Sequence, residues 1–319
     1  MQKIVPIFKD GERSEINHYR PISILPIFSK IFERIIHKRV YNYCEFFDIL
    51  HPSQYGFRKN RSTSQAIIDH LQYLYNNIDN DNVVFSMFLD FRKAFDTVDI
   101  DVLLSKLHFY GIRGVELSLF KSYLTGRKQY TSIQGVNSEI EQLTHGVPQG
   151  SVLGPFLFLI FINDLPNAST FFKYVLFADD STVSTPIPYN SSFSTQHFAD
   201  IINCELGKIH RWLLSNKIAI NCDKTKFIIF SYGRYYALPP IFIGSSQIGQ
   251  TDHTKFLGIL IDQNLNFKHH INYIASKLSK SVGILYKLKY FLPETVLKLL
   301  YFSFVHPYLV YAIEAWFAA

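Results

Sequence analysis

Cysteine is scarce. The 319 residues hold only Cys44, Cys204 and Cys222, far apart and without a CxxC pair. That excludes a disulfide framework and a cysteine zinc site, and it points to a reducing compartment in which the thiols serve as buried fillers. A long apolar run is missing too. The most apolar stretch, 152–162, is followed at once by Asn163 and Asp164, well short of the roughly 20 residues that cross a bilayer. Residues 296–317 are interrupted by Lys298, His306, Pro307 and Glu314. Both stretches read as packed core, so no membrane partner is expected. No secretory signal follows Met1, and no internal repeat is visible.

What is present argues for a globular chain. Apolar residues make up 48% and aromatics 16%, with 29 Phe and 20 Tyr, which excludes disorder. The length fits two or three subdomains sharing a large core. A net charge of +6 is weak support for a phosphate-rich partner.

Helical periodicity runs from Phe28 to Tyr43, where Phe28, Ile31, Phe32, Ile35, Ile36, Val40 and Tyr43 form one apolar face and Lys30, Arg34, Lys38 and Arg39 point outward. A second helix opens on a capping box, Ser62 and Gln65, and carries Ile67, Leu71, Leu74, Tyr75 and Ile78 along one side. Short, apolar, β-rich segments at 83–89, 174–177, 226–230 and 256–261 predict strands. Helical stretches near 103–109, 115–123, 156–162 and 199–214 lie between them, and 186–195 reads as an exposed loop. The mixture implies an α+β core. Past about residue 265 the pattern is wholly helical: Ile271, Ile274, Ala275, Leu278, Val282 and Leu285 form a stripe. Residues 268–298 contain six Lys against the single acid Glu294.

Two acidic sites carry chemistry. Asp90 ends an apolar strand and precedes a turn. Asp179 and Asp180 sit at a hairpin tip between short strands. Adjacent carboxylates repel, so holding them together is costly unless a cation neutralises them. Hard oxygen ligands from two strand ends suit Mg²⁺, which keeps waters and takes substrate phosphates. An Asp-Asp pair alone is most often a solvated turn.

The context changes that balance. Residues 17–23 and 56–63 (Gly-Phe-Arg-Lys-Asn-Arg-Ser-Thr), 88–98, 146–155 (Gly-Val-Pro-Gln-Gly-Ser-Val-Leu-Gly-Pro) running on to Asn163-Asp164-Leu165, 177–180 (Phe-Ala-Asp-Asp), 221–226 and 256–259 occur in this order. In that order they resemble the motifs of the reverse transcriptases of non-LTR (LINE-type) retrotransposons. The resemblance covers nearly the whole chain and implies a right-hand polymerase: fingers at 1–80, palm with a primer-grip hairpin at 81–264, and a partial helical thumb at 265–319.

It also implies roles. Asp90 and Asp179 match direct metal ligands, Asp180 matches the less direct second acid, and the Phe91 carbonyl matches a further ligand. The cofactor would be two Mg²⁺ ions, with Mn²⁺ as the alternative. Phe95 matches the gate that excludes a 2′-hydroxyl and so favours dNTPs. Arg58 and Arg61 match the triphosphate contacts. Gln149 and Gly150 match the surface against the nascent base pair. Lys224 matches the general acid for pyrophosphate, although Lys226 is close by. Lys277, Lys280 and Lys287 are candidate contacts to template-primer phosphates.

The implied partners are an RNA template, a DNA primer and dNTPs. The implied setting is intracellular, and nuclear for a working element. Family members are usually longer, and neither an endonuclease nor a zinc knuckle is visible here. The expectation is a fragment whose endonuclease once shared the polyprotein. Two rival readings are an RNA-dependent RNA polymerase, which Phe95 argues against, and a catalytically dead nucleic-acid-binding remnant.

Overall fold

The expected capping box forms: the Ser62 hydroxyl oxygen accepts from the Gln65 amide at 3.2 Å, and Gln65 Oε1 accepts from the Ser62 amide at 2.9 Å. The structure is a computed structural model describing residues 2–9, 11–188, 194–233 and 236–317. In chain order it contains β1 (Gln2–Phe8), β2 (Tyr19–Ile24), α1 (Ile27–Phe46), α2 (Thr63–Asp79), β3 (Asn82–Leu89), α3 (Ile100–Phe109) and α4 (Gly114–Leu124). Then come β4 (Lys128–Ile133), β5 (Val136–Asn137), β6 (Glu141–Gln142), α5 (Leu153–Ile162), β7 (Lys173–Phe177), β8 (Asp180–Pro188) and α6 (Thr195–Ser215). The remainder is β9 (Lys226–Phe230), β10 (Ile241–Ile243), β11 (Ser246–Gln250), β12 (His253–Phe256), β13 (Ile259–Asp262), α7 (Lys268–Leu288), α8 (Glu294–Phe304), α9 (His306–Val310) and α10 (Ile313–Trp316).

Two units emerge, both built from separated stretches. One comprises Met1–Phe57, Phe91–Thr170 and Gly207–Asn221; the other comprises Arg58–Asp90, Phe171–Leu206 and Cys222–Ala319. The first unit is centred on α5, where every residue but Pro155 is buried. Each fully buried Leu, Ile or Phe side chain contributes roughly 1.5–3 kcal/mol, so this stretch is a core element, as expected. Its sheet runs β2-β1-β4-β5, with β6 also pairing β4.

Burial on α1 departs from the sequence expectation. Phe28, Ile31, Phe32 and Ile35 are exposed, Phe28 by 86%, whereas Glu33, Tyr41 and Cys44 face inward. The reason is polar. Glu33 Oε2 accepts from the Val152 amide at the start of α5 and Glu33 Oε1 from the Tyr123 hydroxyl at 2.9 Å. A buried carboxylate with two such partners fixes the helix rotation more firmly than its apolar stripe does.

The second unit has a six-stranded sheet in the order β10-β11-β9-β3-β8-β7, together with the β12-β13 hairpin. α2 packs on β3 and β7, turning Ile67, Leu71, Leu74 and Ile78 inward as expected. The segment at 256–261, read from composition as a strand and by resemblance as a hairpin at 256–259, turns as a hairpin: Phe256 pairs with Ile259 across Leu257 and Gly258. The loop expected at 186–195 is also corrected, because β8 continues to Pro188 and Ile187 is fully buried; residues 189–193 of that loop lie outside the described residues. Pro186 and Pro188 are tolerated because β7 pairs β8 only as far as Ser184, leaving that side of the strand without a ladder.

In α7 only His270 and Ile274 are buried; of the stripe read there, Leu278 and Leu285 are half-buried and Ile271, Ala275 and Val282 are exposed. Of the cysteines, Cys44 is buried but Cys204 is exposed, which corrects the reading of all three as fillers. Among the described residues no helix is long and apolar enough to cross a membrane.

Candidate active site

Strand register assembles the acids within the second unit. β3 pairs antiparallel with β8, ending at Leu89 against Ser181. One residue further along both strands, Asp90 comes level with Asp180. β7 pairs with β8 up to Phe177 against Asp180, so Ala178 and Asp179 form a two-residue turn. Ala178 adopts φ +55°, a left-handed conformation that a non-glycine residue takes only where the surrounding ladder imposes it. Both hairpin acids are exposed and Asp90 is half-buried. Backbone pairing thus brings three aspartates to the same end of the β3-β8 pair.

Thr225, to which the sequence assigns no chemical role, holds Asp90 in place. It is fully buried, and its Oγ1 accepts the Asp90 amide at 3.1 Å. Its sequence signal was only its place between Lys224 and Lys226. The β3-β9 ladder ends at Phe88 against Lys226, two residues short of both Asp90 and Lys224. Lys224 lies in an exposed turn, whereas Lys226 is partly buried in β9.

Arg58 and Arg61 belong to this unit too. They sit in the turn before α2, where the Arg61 amide donates to the Arg58 carbonyl at 3.4 Å. Phe57 and Asn60 take φ of +52° and +59° there. The α2 N-terminus that follows adds its own partial positive charge, so the segment suits phosphate.

The other expected residues lie in the first unit. Phe91 bridges to Ile220, and the Arg92 amide donates to the Ala219 carbonyl at 2.8 Å. The Phe95 ring is half-buried, 4.6 Å from Phe158 of α5. Gln149 Nε2 donates to Asp96 Oδ1 at 3.0 Å, and the Gln149 carbonyl accepts from the Ser23 amide at 2.7 Å. Burial raises the Asp96 carboxyl above the usual range, and the Gln149 bond only partly offsets this. Gly150 has φ +101°, and a Cβ there would stand 2.8 Å from the Ser23 carbonyl oxygen. The close backbone approach that requires glycine at 150 is therefore to β2.

Comparison with known proteins identifies the family. Residues 7–261 match the model of the family "Reverse transcriptase (RNA-dependent DNA polymerase)". The chain belongs to the reverse transcriptase family. It is 32% identical over 284 residues to the probable RNA-directed DNA polymerase from transposon X-element of Drosophila melanogaster, covering 87% of this chain and 30% of that protein. It is 30% identical over 277 residues to the RNA-directed DNA polymerase from mobile element jockey of Drosophila funebris, covering 84% of this chain and 29% of that protein.

This reverse transcriptase domain thus spans about 30% of the length of those curated relatives. Among solved structures, apo telomerase from Candida tropicalis truncated from its C-terminal domain has a TM-score of 0.54 at 14% identity, over 82% of this chain and 53% of that chain. Telomerase from Candida albicans gives 0.54 at 12% identity, over 99% and 59% respectively. These likenesses show the fold, α+β and of the right-hand polymerase kind.

Proposed function

We propose that the chain is the polymerase core of a non-LTR mobile element and adds dNTPs to a DNA 3′ end on an RNA template. The observation that carries this reading is the register that brings Asp90 level with Asp180 at the Asp179 turn, within a chain of this family. Asp90, Asp179 and Asp180, with the Phe91 carbonyl, would hold two Mg²⁺ ions. Bound there, such ions lower the pKa of an attacking hydroxyl and neutralise charge on the leaving pyrophosphate.

The chain's own groups do the rest. Thr225 fixes the Asp90 backbone, Arg58 and Arg61 orient the triphosphate by charge-assisted hydrogen bonds, and Lys224 delivers a proton to pyrophosphate. Phe95, packed on Phe158, excludes a 2′-hydroxyl, and Gln149 and Gly150 line the nascent pair. In this reading residues 1–80 act as fingers, 81–264 as palm and 265–319 as thumb, with Lys277, Lys280 and Lys287 against template-primer phosphates.

Primer extension on an RNA template with Mg²⁺ tests it. The intact chain should incorporate dNTPs, and Asp90→Asn or Asp179→Asn should lower kcat by more than about 100-fold, since losing even an outer-sphere partner costs 10–100-fold. Phe95→Ala should admit ribonucleotides. Tight template-primer binding without any extension by the intact chain would overturn the proposal.

A further inference from the structure

Away from those acids, Asp252, His253 and His269 bring three ligand atoms within 4.8 Å of one another. Asp252 lies in the turn between β11 and β12, His253 begins β12, and His269 is in the first turn of α7. All three belong to the second unit. The imidazoles of His253 and His269 stack face to face, with centroids 4.3 Å apart and planes 5° apart. His253 Nδ1 and Asp252 Oδ1 lie 2.7 Å apart, two donor atoms that one ion can bridge in place of the shared proton.

Both backbones that carry the histidines are anchored. The Thr251 amide donates to Phe227 O at 2.9 Å, and the Asp252 carbonyl accepts from the Gln263 amide at 2.8 Å. The entry to α7 is collared by Asp262, which is buried and accepts from the amides of Asn264, Asn266 and Phe267 at 3.1, 3.2 and 2.7 Å. Beside His269, His270 is buried, with Trp316 edge-on at 5.3 Å. The side chains themselves are at the surface, His253 at 41% and Asp252 at 65% exposure. At the surface they can rotate out of the stack and converge on an ion without disturbing the core.

We infer that Asp252, His253 and His269 form a binding site for a borderline divalent transition metal such as Zn²⁺, with solvent as the fourth ligand and the ion tying β12 to α7. Two imidazoles with one carboxylate suit Zn²⁺, Co²⁺ or Ni²⁺ and disfavour Mg²⁺, which prefers all-oxygen sets. The site is chemically separate from the Asp90, Asp179 and Asp180 group and needs no polymerase activity to be detected.

Titration of the full chain with Zn²⁺, by equilibrium dialysis against a large Mg²⁺ excess, and with Co²⁺, followed by its visible absorption, tests the inference. One ion per chain should bind with a tetrahedral Co²⁺ spectrum. His253→Ala and His269→Ala should each weaken binding at least about 10-fold, Asp252→Asn should weaken it by roughly 10-fold, and the double histidine variant should abolish it. Circular dichroism of each variant checks that it is folded. Absence of binding by the intact chain would overturn the site. So would binding that survives in a folded double variant, or full displacement by Mg²⁺.

Discussion

Tyr311 donates its hydroxyl hydrogen to the carbonyl oxygen of Leu257 at 2.5 Å. The bond joins the helical C-terminal region to the turn of the β12-β13 hairpin, which resembles the primer grip. Leu257 has φ +44°, and Gly258 has φ +94° with its Cβ position 3.0 Å from the Tyr311 ring. The turn is therefore shaped against this one side chain. Tyr311→Phe should cost about 1 kcal/mol in urea unfolding. Gly258→Ala should cost about 1–3 kcal/mol, because it meets both the backbone strain and the ring. If both variants unfold at the wild-type denaturant midpoint, the contact contributes nothing.

Thr225 tests how Asp90 is held. Thr225→Val keeps the shape but removes the acceptor for the Asp90 amide, and should cost about 1–3 kcal/mol. Thr225→Ser should recover most of that stability. Equal midpoints for the valine and serine variants would show that the hydroxyl is dispensable.

His70 provides a pH dependence. It is fully buried among Phe88, Phe230 and Phe256, and neither ring nitrogen has a hydrogen-bond partner among the described residues. Burial lowers its pKa to about 4, with Asp69 opposing and Lys173 adding to the shift. Between pH 6.5 and 4 the unfolded chain therefore binds more protons at this residue than the folded one does. Stability from His70 is complete above pH 6.5 and falls by roughly 3 kcal/mol as the pH drops to about 4. His70→Leu removes two orphan nitrogens and should be neutral or stabilising at pH 7. It should also flatten the loss below pH 6.5, as measured by urea midpoints across that range.

Asp262 supports the entry to α7 through three backbone amides. Asp262→Ala should destabilise by about 3 kcal/mol, since buried donors lose a charged acceptor. Asp262→Asn retains one side-chain acceptor oxygen and should restore about half of that. Thermal unfolding of the three proteins, compared at one pH, provides the measurement.

Much of this protein was legible in its sequence. The order of the motifs around Asp90, Gln149 and Asp179 identified the family. The apolar run of α5 and the capping box of α2 identified elements whose local chemistry admits one reading. The α+β class followed from mixed periodicities. What resisted were facts that depend on partners distant in the chain.

Periodicity showed that α1 is amphipathic but not which side faces inward. Glu33 decided that through Val152 and Tyr123, residues about 90 to 120 positions away. β1, β2 and β4 escaped notice because they are short and half-exposed, with prolines in the first two. Their pairing, including the parallel β1-β4 contact, is non-local. The sequence by itself determined which acids, arginines and aromatics the chain possesses, and in what order. Only the tertiary structure decided that Thr225 supports Asp90, that Tyr311 shapes the Leu257 turn, and that His253 meets His269. Strand register and helix rotation are set by long-range packing and polar pairing, which a linear pattern does not contain.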